Sequence, residues 1–150
     1  MLRNARPGDL DAIHAIERRS FKGDRMSRAS ISRLIGSPSA AVLVAADGRQ
    51  VAAAMVLLFR RGSRLARLYS LAVASQQRGK GLGGRMIHRA LALARRRGAA
   101  AICLEVRASN HRAQRLYRRH GFLGTRRTAC YYQDGQDAVR MEMALTGGVA

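Results

Sequence analysis

Hydrophobic spacing divides the chain into stretches with a helical period and stretches that are apolar almost without a break. "LRNARPGD" predicts a short first strand broken by Pro7-Gly8, and Asp9 stands where a helix N-cap belongs. The helix that follows carries Leu10, Ile13 and Ile16 on one face and should end near Phe21. A polar linker, Lys22 to Ser27, leads to a second short helix with Ile31, Leu34 and Ile35, closed by Gly36 and Pro38. "AAVLVA" reads as a strand, Asp47-Gly48 as the signal of a tight turn, and "VAAAMVLLF" as the hairpin partner. Leu65 to Val73, "LARLYSLAV", is a further strand.

Leu82, Met86, Ile87, Ala90, Leu91 and Ala94 then repeat at helical spacing up to a stop at Gly98. "AAICLEVRA" is a strand, and "SNHRAQRLYRRHG" a helix capped by Ser109 or Asn110 and stopped by Gly121. Two strands remain, "FLGTRRTACYY" and "AVRMEMAL", with a turn at Asp134-Gly135 between them. The order β-α-α-β-β-β-α-β-α-β-β predicts an α/β fold. Its mixed, mostly antiparallel sheet has six to seven strands, flanking helices and a central βαβ crossover.

Composition narrows the picture. A chain of 150 residues, 47% hydrophobic, fits a single domain spanning 1–150. No apolar run approaches the roughly 18 residues of a membrane span, and "MLRNARPGDL" lacks the apolar core of a signal peptide, which points to a cytoplasmic protein. Cys103 and Cys130 stand far apart, with no CxxC pair and no clustered His, so both read as reduced thiols and no metal site is expected. His14, His88, His111 and His120 each stand alone on predicted helices. The charge is the outlier: 28 Lys and Arg against 9 Asp and Glu give +19. Such a field draws anionic ligands and opposes self-association, so a monomer or weak dimer is expected, with ribosome association through the basic surface as one use of the charge.

The candidate chemistry sits at "QQRGKGLGGRM", Gln76 to Met86. Glycines after a strand and before a helix let backbone N–H groups converge on a phosphate without a Cβ in the way, while the helix N-terminus adds positive potential. Gly79, Gly81 and Gly84 satisfy the dinucleotide pattern GxGxxG, with Glu105 about 20 residues on, where that pattern wants an acid. Only one helix and a hairpin follow Glu105, too little for the further parallel units of a dinucleotide fold. No Gly-Lys-Ser/Thr ends the loop, which excludes a phosphate-loop NTPase.

The same residues fit R/Q-x-x-G-x-G/A, as Arg78, Gly79, Lys80, Gly81, Leu82 and Gly83, and also in the frame Gln76 to Gly81. With "SLAV" before the loop, "LEVRASNHRAQRLYRRHGF" after it and "YYQDGQDAVRMEMAL" at the end, the chain resembles the GNAT superfamily of acetyl-CoA-dependent N-acetyltransferases along nearly its whole length. Within that superfamily it is similar to the RimI-like, ribosomal-protein-alanine and N-terminal acetyltransferase group.

The resemblance implies acetyl-CoA as cosubstrate and assigns roles. Backbone groups of Leu71, Ala72 and Val73 would meet the pantetheine arm and the acetyl oxygen, where the strand splays from its neighbour. Arg78, Gly79, Lys80, Gly81, Leu82, Gly83 and Gly84 would hold the diphosphate. Glu105 would be the general base and Tyr117 the general acid near the sulfur, with Asn110 contacting the cofactor; capping alone would also explain Asn110, and core packing Tyr117. On its strand, Glu105 shares a face with Cys103 and Arg107, so it faces either the cleft or Arg107. Tyr131 and Tyr132 would cover the acceptor entrance, opposite a wall around Phe21; consecutive strand residues face opposite ways, so one of the pair should pack. The acceptor implied is a protein or peptide N-terminus. The alternatives are a lysine or small-molecule amine, or a basic RNA- or ribosome-binding module without catalysis. Few aromatics, and the presence of both Glu105 and Tyr117, count against the last.

Overall fold

The two most apolar strands, Ala40–Asp47 (β2) and Gln50–Phe59 (β3), bury side chains on both faces of the sheet. Val42, Val44, Ala54 and Val56 pack on one face with Ile13, Met26 and Ile31. Leu43, Ala45, Met55 and Leu57 pack on the other with Met86, Ile87, Ala90 and Leu91. The pleat therefore builds two cores, one against each helical layer.

The computed structural model describes residues 1–21, 25–48 and 50–145. Part of the predicted linker, Lys22 to Asp24, lies outside the described residues, as does Arg49 beside the β2–β3 turn. Around β2 and β3 stand β1 (Leu2–Asn4), β4 (Leu65–Val73), β5 (Ala101–Arg107), β6 (Leu123–Thr128) and β7 (Ala138–Ala144). The helices are α1 (Leu10–Ser20), α2 (Arg28–Leu34), α3 (Leu82–Arg96) and α4 (His111–Arg119). One seven-stranded sheet runs β1-β2-β3-β4-β5-β7-β6. The β4–β5 pair is parallel and its neighbours antiparallel, the mixed sheet and central crossover expected from the chain. No helix among the described residues is long and apolar enough to cross a membrane.

Helix α3 buries the six residues its spacing singled out, and replacing Met86 or Ile87 by alanine should cost about 2–5 kcal/mol. Its first turn lies close to α4. A Cβ on Gly83 would stand 3.2 Å from Leu116 Cδ2, and one on Gly84 3.0 Å from His120 Nε2. These two glycines thus serve helix packing as well as the loop.

Two local expectations need correction. Asp9 precedes α1 but makes no side-chain cap to it. Its carboxylate instead accepts from Arg3 at 2.7 Å and 3.0 Å and from the Arg6 amide at 2.7 Å, contacts that hold it below the usual carboxylate range, Arg3 first. The strand predicted to run through Tyr132 ends at Thr128. Asp137 explains the break: its carboxylate accepts from Arg127 at 2.7 Å and from the Cys130 amide at 3.1 Å, while Cys130 turns through φ 51°. Tyr131 and Tyr132 therefore stand in a loop, not on opposite faces of a strand.

Candidate active site

The site opens where the parallel pair parts. β4 meets β5 only through Leu65–Arg67 against Ala101–Cys103, so beyond these residues the two strands bound a wedge. Leu71, Ala72 and Val73 pair with Met55, Ala54 and Ala53 of β3, and are unpaired on the β5 side. A register shift leaves Tyr69 without a partner on β3: Val56 meets Ser70 and Leu57 meets Leu68. The extra residue re-aims β4. Leu68 packs into the α3 core, and Ser70 faces α1.

Into this wedge open a cleft of about 550 Å³ and side chains from both helical layers. Ile102, Leu104 and Val106 point to the α3–α4 core, so Cys103, Glu105 and Arg107 point to the α1 side, in keeping with the expected alternation. Tyr117 reaches the same cleft from α4. Phe21, Asn110, Leu71, Tyr131 and Tyr132 line it too, so most residues predicted for catalysis and acceptor binding share one space. Both tyrosines of the loop take part, edge to face with centroids 4.9 Å apart.

Glu105 forms ion pairs with two guanidiniums. Arg67, opposite Cys103 in the β4 register, lies at 2.8 Å, and Arg140, opposite Glu105 on β7, at 3.6 Å. Arg67 also donates to the Tyr131 hydroxyl at 3.0 Å. Arg107 donates to Asp134 at 2.8 Å and lies 4.3 Å from the Tyr132 ring centroid, which ties the tyrosine loop to β5. The Gln136 amide and then Arg107 hold the Asp134 carboxyl below its ordinary range.

Tyr117 is 9% exposed and packs edge to face on Phe122 at 5.7 Å. Burial pushes its phenol well above the ordinary value, so the hydroxyl keeps its proton at neutral pH. Core packing and exposure to the cleft coexist in one residue. The Asn110 side chain accepts from the Ala113 amide at 3.1 Å, which makes it the α4 cap, and it lines the cleft as well.

The glycine loop lies apart from the cleft lining. Gly79 and Gly81 turn through φ 82° and 79°, backbone that L-residues rarely adopt, and no atom lies within 4 Å of a Cβ built on either. Arg78 folds back to the Val73 carbonyl at 3.3 Å, Lys80 is exposed, and the Leu82 side chain joins the core. The first turn of α3 contains no acidic residue. Gly81 and Gly84 also border a second depression, of about 820 Å³, with Arg85, His88, Arg119 and His120.

Glu17 was not singled out by the sequence reading, although it carries a signal. It falls four residues after Ile13 and seven after Leu10, on the apolar stripe of α1, where a hydrophobe is due. It is 4% exposed and lines the cleft; its carboxylate accepts from Ser70 Oγ at 2.8 Å and from the Met26 amide at 3.3 Å. Burial raises its pKa, partly offset by these two bonds. Burying a carboxylate costs several kcal/mol, and a hydrogen bond to a charged group returns about 1.5–3 kcal/mol. Packing alone is a poor reason to keep such a group. Arg67 and Arg140 were missed as well, because cross-strand register is not visible in sequence. Among the described residues no group of three or more His, Cys, Asp or Glu side chains could hold a metal.

The chain is similar to known proteins in sequence and in fold. The model of the acetyltransferase (GNAT) family matches residues 10–122. A Bacillus subtilis (strain 168) protein, provisionally named a ribosomal protein bS18-alanine N-acetyltransferase, is 30% identical over 146 residues, 96% of this chain and 95% of its own. The crystal structure of Ard1 from Thermoplasma volcanium superposes with a TM-score of 0.87 at 27% identity, covering 97% of each chain. The fold recurs, at 21% identity and a TM-score of 0.85 over 100% of this chain and 96% of the other, in yncA from Salmonella typhimurium, provisionally named an acetyltransferase and solved with acetyl-CoA.

Proposed function

Because the chain belongs to the acetyltransferase (GNAT) family, we propose that it moves the acetyl group of acetyl-CoA to a primary amine, the N-terminal α-amine of a protein. The observation that carries this reading is the parting of β4 from β5, with Glu105 and Tyr117 lining one cleft from opposite faces of the sheet.

The chain suits the cosubstrate. Gly79 and Gly81 leave open space where a Cβ would intrude, at the start of a helix whose first turn carries no acid. The amides from Arg78 to Gly84 would hold the diphosphate, the free edge of Leu71, Ala72 and Val73 the pantetheine arm, and Asn110 a further polar contact. When bound, acetyl-CoA supplies an acetyl group activated as a thioester. Glu105 takes a proton from the acceptor ammonium and frees the nitrogen lone pair. Amides at the open edge of β4 would stabilise the negative charge that grows on the carbonyl oxygen. Tyr117 gives its phenolic proton to the departing sulfur, a task suited to a group that burial keeps protonated.

Phe21 and the Tyr131–Tyr132 pair would form two walls around the acceptor. The full-length similarity to a protein named for ribosomal-protein alanine acetylation favours a protein N-terminus. None of the nine Asp and Glu residues lies on α3 or α4, whose exposed arginines offer ribosomal RNA a cationic face. An array of peptides with free and blocked N-termini, incubated with labelled acetyl-CoA, tests the reading. Label should appear on free N-termini. Label confined to internal lysines would overturn the acceptor, and no transfer to peptides or small amines would overturn the activity.

A further inference from the structure

Amine transfer places a cation in this cleft, and the carboxylate assigned to its proton is already surrounded by cations. Arg67 and Arg140 face Glu105 at 2.8 Å and 3.6 Å, and Arg140 is shared with Glu142 at 2.9 Å, so the charge of Glu105 is already answered. An incoming ammonium has to compete there with guanidiniums already in place. Glu17 offers what that position lacks. Both its hydrogen-bond donors, the Ser70 hydroxyl and the Met26 amide, are neutral, and no ion pair reaches it among the described residues. Each carboxylate oxygen accepts one of these bonds and keeps a second lone pair for a donor from the cleft.

We propose that Glu17 is the anionic subsite that receives the acceptor's ammonium group and seats it within reach of Glu105. The inference rests on the amine-acetyltransferase reading and adds to it the residue that binds the acceptor's charge. A protein of net charge +19 otherwise repels cationic acceptors, and a buried carboxylate on the cleft wall, with no ion-pair partner among the described residues, reverses the sign of the field where it matters. The β4 irregularity serves the same end, because leaving Tyr69 unpaired turns the Ser70 hydroxyl toward α1, where it orients the carboxylate. The raised proton affinity of Glu17, caused first by burial, is what a carboxylate awaiting a cation should show.

A strap holding the end of α1 to β4 would use the same two hydrogen bonds, so the test separates charge from shape. Glu17→Gln keeps the shape and an acceptor oxygen. With acetyl-CoA and a peptide bearing a free N-terminal alanine at pH 7, the variant should raise the peptide KM about tenfold or more, with the acetyl-CoA KM unchanged. The gap should close as pH rises through the α-amine's ionisation near about 8, since a neutral amine needs no counter-charge. Among the described residues, the charged and titratable groups around Glu17 are His14 on its own helix, Arg25, Arg67 on β4, Glu105 and Arg107 on β5, Tyr117 on α4 and the Tyr131–Tyr132 pair. All of them remain in the variant, so the difference between the two profiles belongs to Glu17. Equal peptide KM values, or a gap constant across the pH range, would overturn the proposal. If Glu17→Gln does not fold, Ser70→Ala removes one donor and leaves the charge. The acid limb of the peptide-KM profile should then move to higher pH, and an unmoved limb counts against Glu17. Wild-type protein that acetylates no amine would overturn the transferase reading and this one together; wild-type turnover with unaltered variant kinetics overturns this one alone.

Discussion

On the cofactor side of the β4–β5 opening, Gly79 and Gly81 turn through positive φ, and the groups on offer are backbone amides. On the acceptor side, Glu17, Arg67, Glu105, Arg140 and Asp134 are held by one another and by Ser70, Gln136 and Arg107. In the proposed reaction the first region would recognise its ligand through main-chain geometry contained in one short segment. The second would do so through side chains from α1, β4, β5, β7 and the β6–β7 loop, whose relative positions only the fold sets. Charge follows the same division. Three acids, Glu17, Glu105 and Asp134, stand in or beside the cleft, whereas α3 and α4 carry none. A diphosphate and an ammonium ask for opposite fields, and the proposed binding regions differ in charge in that sense.

The hardest blow to the cofactor side should be Gly81→Val. A β-branched residue at φ 79° is strained by about 1–2 kcal/mol, and its side chain enters the space left open in the loop. Acetyl-CoA binding should vanish in calorimetry while the melting temperature falls only by a few degrees; retained binding would remove the loop from the site. Glu105→Gln should act on the other side alone, lowering kcat about 100-fold or more with acetyl-CoA affinity unchanged. A parallel loss of cofactor affinity would mean that its ion pairs with Arg67 and Arg140 hold the wedge open. Tyr117→Phe should cost less, about tenfold in kcat, because a thiol ionises near about 8.5 and leaves without full protonation. Its effect should fade above that pH, and a constant deficit would assign Tyr117 to packing on Phe122.

The same division explains what could be read from the chain. The glycine turn before α3 and the six buried positions of that helix were legible because their constraints are local: a glycine turn is one contiguous segment, and an amphipathic helix repeats every 3.6 residues. The roles of Glu105 and Tyr117 rest on the proposed reaction, while that they would line one cleft was legible through strand alternation and family resemblance. The partners of Glu105 were not, since Arg67 and Arg140 come from 38 and 35 positions away along the chain and meet it only through sheet register. Tyr131 and Tyr132 misled because "TACYY" favours a strand by composition, while Asp137 draws the Cys130 amide out of the ladder, a contact no propensity encodes. Glu17 was overlooked although visible, an acid on an apolar stripe.

The smallest and most discriminating effect concerns how the acceptor side is held. Asp134 anchors the tyrosine loop through Arg107 at 2.8 Å and the Gln136 amide at 3.1 Å, and it is half-exposed. Asp134→Asn should therefore raise the acceptor KM only about two- to fivefold, with kcat and the acetyl-CoA KM unmoved. Because the folded carboxyl is held below its ordinary value, its share of loop stability is present above the ordinary carboxylate pKa and is lost as pH falls through the lowered one. The ratio of variant to wild-type acceptor KM should accordingly stay constant from pH 6 to 8. Molar salt should raise the wild-type value toward that of the variant, since screening weakens an exposed pair. A salt-insensitive acceptor KM would show that the loop stands on the Arg107–Tyr132 contact instead, and the acceptor wall would then be held by packing more than by charge.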